Sequence, residues 1–266
     1  MEAQPPPLPA SVLPVKRWRL WLHLLLVVPY PLIAAFAGGA DKEAKSSVLT
    51  GGWKGLLIVC GIELALFSAI FGLAVWLSRT TRDDLMLRAR GMGRFIVHGM
   101  GYSLAIRFGI GLVMGLVAAA LIVLGVVTQE AVEQFVNSNR PDVEKLVDVK
   151  ALKNDPIYYW LTLSFVSFIV AGLREELWRS ASLTGLRKLW PQWFGSTKGQ
   201  LIGVVLTSLL FGIGHLGQGW FAVGVTALIG MALGTIMVLH RSAWPAIIAH
   251  GAFDAASFAL LPLVLK

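Results

Sequence analysis

Residues 103–127 read SLAIRFGIGLVMGLVAAALIVLGVV, a run whose one charge is Arg107. An α-helix rises 1.5 Å per residue, so about 20 apolar residues cross the roughly 30 Å of bilayer hydrocarbon. The run is therefore long enough to span a membrane. Comparable runs fall at 18–38, 53–77, 157–178, 200–216, 219–239 and 243–264. In hydrocarbon every backbone polar group needs an internal partner, and a helix supplies one within each segment. The expected fold is all-α, a polytopic transmembrane helical bundle of about seven spans.

Composition agrees. The chain has 266 residues, 56% of them hydrophobic and 14% charged, against about 25% charged in soluble domains. Mean hydropathy is +0.71. The spans are spread end to end, which implies one membrane domain. Residues 1–15 carry Pro5, Pro6, Pro7, Pro9 and Pro14 and read as a flexible tail. Residues 16–127 hold the N-terminal transmembrane helices, 128–156 a polar loop, and 157–266 a membrane domain with catalytic-like motifs. The polar loop is rich in Glu and Asp and reads as a solvated connector with one or two short surface helices. Lys16, Arg17 and Arg19 ahead of an apolar run, with Ala35-Phe36-Ala37 after it, resemble a signal peptide. The run exceeds the usual signal core, so a retained helix is expected. The single cysteine, Cys60, excludes an intrachain disulfide and a cysteine-based zinc site.

The net charge of +8 does not indicate a nucleic-acid partner. The basic residues sit mostly in short loops between spans, where they meet anionic lipid headgroups. Fifteen of the 23 Lys and Arg fall on the side that holds the N-terminus if there are seven spans. That asymmetry puts the N-terminus in the cytoplasm. A prokaryotic plasma (inner) membrane suits the short chain.

Ionisable groups inside apolar runs are costly and mark function by default. Three clusters stand out. The first is Arg174-Glu175-Glu176-Leu177-Trp178-Arg179. Glu175 and Arg179 are four apart on a helix and share a face, so Arg179 is expected to hold Glu175 ionised and oriented as a general base, with Arg174 doing the same from the other side. A structural ion-pair cluster is the alternative. The second is Phe211-Gly212-Ile213-Gly214-His215, with glycines opening space around His215. The third is His250-Gly251-Ala252-Phe253-Asp254, whose His250 and Asp254 project from one helix face. Asp254 there fixes a histidine tautomer or makes a structural hydrogen bond. Glu63 is expected to pair with Arg107 or line the cavity, and His23 to reach the interface.

In this order and on these spans, the clusters resemble the CAAX protease and bacteriocin-processing family, often described as abortive-infection-like. Its pattern is Glu-Glu-x-x-x-Arg, then Phe-x-x-x-His, then His-x-x-x-Asn or Asp. Phe211 and His215 meet the second motif, and His250 and Asp254 the third. The likeness covers about residues 157–260. The first motif departs, with two residues in place of three between Glu176 and Arg179. Anchored on Arg179, the pattern puts Glu175 in the second glutamate position and Arg174 in place of the first.

The resemblance implies an intramembrane endopeptidase. One glutamate, Glu175 or Glu176, activates a water. His215, His250 and Asp254 position that water or stabilise the oxyanion, and Arg179 holds a carboxylate. The substrate is a membrane-anchored or peptide chain. No cofactor is favoured, although His215, His250 and Glu175 would be the ligands if zinc were bound. A catalytically silent immunity or scaffold protein and a small proton-coupled transporter are the alternatives. The protease reading expects Glu175, His215 and His250 side chains within about 10 Å, although straight spans would part them along the helix axes.

Overall fold

The structure is a computed structural model that describes residues 15–33, 48–89, 91–139 and 146–264. Most of the proline-rich tail, the Ala35-Phe36-Ala37 segment and part of the polar loop lie outside the described residues. Nine helices carry the argument: α1 (Arg17–Val27), α2 (Gly52–Leu77), α3 (Met92–Val123), α4 (Gln129–Asn139), α5 (Val149–Asn154), α6 (Pro156–Leu189), α7 (Thr197–Ile213), α8 (Trp220–His240) and α9 (Trp244–Val264). Among the described residues only an isolated Leu49–Val147 bridge departs from helices, turns and loops. The fold is a helical bundle, and the chain is an integral membrane protein.

Five helices, α2, α3, α6, α8 and α9, are long and apolar enough to cross a bilayer. That is fewer than the seven expected, and the shortfall lies in the first and fifth spans. α7 is apolar but has 17 residues. α1 ends at Val27, and the chain resumes helix only at 30–33. Pro29 and Pro31 lack the N–H groups that a continuous helix needs. Pro31 cannot donate to the Val27 carbonyl, and that carbonyl instead accepts the indole N–H of Trp178 at 2.8 Å. The proline break thus docks α1 onto α6.

The fourth span differs most from expectation. It does not stop near residue 178 but runs 34 residues, Pro156–Leu189. Asp155 caps it, accepting from the Ile157 and Tyr158 amides, and Pro156 sits at its start. Its middle, Thr162–Leu173, is π-helical, and the Ser167 hydroxyl donates to the Thr162 carbonyl five residues back at 2.9 Å. Its polar end is satisfied by the loop before α3. Ser180 donates to the Leu85 carbonyl and Thr184 to the Asp84 carbonyl, each at 2.6 Å. Leu85 and Met86 are buried there, so the arginine-rich loop folds onto the bundle.

α9 packs along the π-helical stretch and against α3, α7 pairs with α8, and α1 lies against α2 and α6. The approach of α9 to α6 is close. A Cβ on Gly172 would stand 2.8 Å from the Ile247 carbonyl oxygen, nearer than real Cβ atoms come. α4 is exposed, and α5 is a single short turn region with Leu152 buried.

Candidate active site

The long α6 carries Glu175 and Glu176 past the π-helical stretch to the level of α9. A π turn takes in one more residue than an α turn. Side-chain directions beyond Leu173 therefore differ from those of an α-helix counted from Pro156. Glu176 and Arg179 are fully buried and ion-paired, three residues apart. This corrects the expected Glu175–Arg179 pairing. A three-residue spacing also shares a helix face, and the long arginine closes the gap. Arg179 threads past α8 where two glycines notch it. A Cβ on Gly234 would lie 3.1 Å from Arg179 Cδ, and one on Gly230 would lie 3.2 Å from Nη2.

Glu175 goes elsewhere. Its Oε1 accepts from Arg174 Nη2 at 2.8 Å, and its Oε2 stands 3.6 Å from His250 Nε2. The other edge of the His250 ring donates from Nδ1 to Glu176 Oε1 at 3.1 Å. Asp254 Oδ2, one turn along α9, also stands 3.6 Å from His250 Nε2. A nearly buried imidazole therefore lies among three carboxylates. The two 3.6 Å separations are longer than direct hydrogen bonds.

His215 sits just past the C-terminus of α7. Its Nδ1 donates to the Phe211 carbonyl at 2.8 Å. A carbonyl only accepts, so Nδ1 carries the proton and Nε2 is left for chemistry. The Phe211 ring is the hub of the site. It meets His215 at 4.7 Å and His250 at 6.1 Å between centroids, stacks on Trp178, and lies under the Arg179 guanidinium at 4.9 Å. The two imidazoles are thus no further apart than the sum of their distances to Phe211.

The structure therefore brings Glu175, Glu176, Arg179, His250 and Asp254 into one cluster, with His215 joined through Phe211. Arg174 holds Glu175 as the sequence suggested; what the sequence did not show is that Arg174 also ties Glu63 on α2 to the cluster. The expected Glu63–Arg107 pair does not form. Arg107 instead donates to the Phe253 carbonyl and to Ser257 Oγ on α9, at 2.6 and 2.9 Å. The signal for Glu63 was its depth in an apolar run, but nothing local marked its partner. His23 does not reach the interface. It is fully buried, with its ring nitrogens each 2.9 Å from the Ala74 and Ala181 carbonyls.

Among the described residues no three His, Cys, Asp or Glu side chains are placed to hold a metal.

Residues 157–256 match the family of type II CAAX prenyl endopeptidases described as Rce1-like. The match covers less than half of the chain and holds the whole cluster except Glu63. No curated protein and no solved structure matches the chain.

Proposed function

We propose that this chain, matched over its last helices to the CAAX prenyl endopeptidases, is an intramembrane endopeptidase that uses Glu175 as its base. One observation carries the reading. Glu175 and Asp254 face the same His250 nitrogen at 3.6 Å, while Glu176 and Arg179 brace that ring from behind. A brace that is fully buried and an acid that is not divide the two glutamates by role. Glu176 holds His250, and Glu175 is left to meet water.

In the proposed cycle Glu175 takes a proton from water as the oxygen attacks the scissile carbonyl carbon. The charge that develops on the carbonyl oxygen is met by Nε2–H of a protonated His250, and by His215 Nε2 once that ring is protonated as well, since its Nδ1 proton is held by the Phe211 carbonyl. The tetrahedral intermediate then collapses, the C–N bond breaks, and Glu175 returns its proton to the leaving amine. Asp254 orients His250 throughout. The substrate is a membrane-anchored or lipidated peptide that reaches the site from the bilayer. The protein sits in a prokaryotic plasma (inner) membrane with its N-terminus cytoplasmic, surrounded by lipid.

The test uses the purified full chain in lipid nanodiscs with prenylated and transmembrane-anchored reporter peptides, read by mass spectrometry. Wild type is expected to cut at a defined bond. Glu175→Gln should lower kcat by about 10²–10⁴-fold and leave thermal stability nearly unchanged. Unimpaired cleavage by Glu175→Gln would reject Glu175 as the base. Absence of cleavage with proton-coupled uptake in liposomes would favour a transporter.

A further inference from the structure

Outside the family-matched segment, Glu63 on α2 reaches the site through Arg174. Arg174 is bound on two sides. One terminal nitrogen donates to Glu63 Oε1 and the other to Glu175 Oε1. Its guanidinium lies over the Tyr30 ring at 6.0 Å, and Tyr30 in turn packs edge-on against Phe67 of α2 at 5.2 Å. The Arg174 side chain is 11% exposed and that of Glu63 is 33% exposed, so the arginine is largely enclosed while its α2 partner is partly open.

The consequence lies in how the two Glu175 oxygens are used. Oε1 is held by Arg174, and Oε2 is the oxygen that faces His250 Nε2. A carboxylate pinned by one oxygen has its other lone pairs aimed. Misplacing a reacting group by about 1 Å can cost about 10²-fold in rate. The guanidinium fork is itself held by Glu63 on its second arm and by the Tyr30 ring beneath it. Planar two-armed binding is what arginine offers and lysine does not.

We infer that Arg174, anchored by Glu63 of α2, is the positioning residue that orients Glu175 towards His250. This rests on the protease reading for its consequence in rate, though not for its geometry. The N-terminal helices are then part of the working site and not only its membrane anchor. The groups around Glu175 are Arg174 and Glu176 on its own helix, Glu63 on α2, and His250 and Asp254 on α9.

Two measurements test this on the full chain in nanodiscs. The first is steady-state cleavage of a prenylated reporter peptide by Glu63→Gln, Arg174→Gln and Arg174→Lys. Both glutamine variants should lower kcat about tenfold or more, with KM changed less than about twofold. Arg174→Lys should recover only part of the loss. The second needs no activity. A hydrophobic carbodiimide modifies protonated carboxyl groups, and mass spectrometry gives its rate at Glu175. Removing the guanidinium in Arg174→Gln should speed that labelling about fivefold or more, while Glu63→Gln should leave it equal or slower. Should Arg174→Gln misfold, the double variant Glu63→Gln/Arg174→Gln removes both charges together and should still label faster. Unchanged labelling of Glu175 in the arginine variants overturns the inference, as do unchanged kcat values in both glutamine variants. A wild type that cuts no reporter but shows the labelling pattern rejects the protease reading and leaves the positioning role standing.

Discussion

Replacing Arg179 by methionine separates the structural from the chemical work of the Glu176–Arg179 pair. Both side chains are fully buried, so the variant leaves Glu176 with His250 Nδ1 as its remaining polar partner at Oε1. Taking one partner from a buried ion pair typically costs about 3–5 kcal/mol, because the other charge is stranded. Methionine fills much of the slot beside Gly230 and Gly234, so the cavity contribution is small. For a chain of this size, that loss corresponds to roughly a 6–20 °C fall in Tm. The double variant Arg179→Met/Glu176→Gln removes both charges and should recover most of that stability. It should remain nearly inactive, because His250 loses its charged brace. Thermal unfolding in detergent, followed by tryptophan fluorescence, measures the first quantity, and reporter cleavage the second. A Tm fall of less than about 2 °C in Arg179→Met, which is below about 1 kcal/mol, would refute the reasoning. So would full activity in the double variant.

Gly172→Ala should destabilise the protein by about 1–3 kcal/mol through overpacking, since its Cβ would press on the Ile247 carbonyl. Activity should fall with it, because the same contact sets the depth of His250; a Tm equal to wild type would contradict the packing. Burial pushes the Asp84 carboxyl up, but hydrogen bonds from Lys188 and Thr81, with the Lys188 charge, outweigh it and hold Asp84 below the usual aspartate range. A depressed folded value means stability that is fully present above the unfolded pKa, about 3.9, and is lost as pH falls through the folded value. Asp84→Asn should therefore be less stable than wild type at pH 7, and the difference should shrink below about pH 4. Denaturation curves at both pH values measure this, and a difference that persists in acid would count against the loop's anchoring.

Apolar run length is a local property, and it was enough to establish a helical membrane protein, because hydrocarbon thickness fixes the number of residues required. The same logic picked out Glu175, Glu176, Arg179, His215, His250 and Asp254, since ionisable groups in apolar runs are conspicuous one by one. Their partners were legible only in part: His250 with Asp254 and Arg174 with Glu175 follow from neighbouring positions on one helix. Whether Arg179 meets Glu175 or Glu176 is left open by spacing, which allows both; the three share one α-helical stretch, and its packing against α8 and α9 decides which glutamate is turned inward with Arg179. The run 18–38 reads as one span although Pro29 and Pro31 stand within it, and nothing local shows that the freed Val27 carbonyl takes the Trp178 indole. Glu63 and Arg174 are 111 residues apart, and no sequence period joins them. Such pairings are decided when helices pack, because only then do the cost of a buried charge and the position of its neutralising partner become the same question.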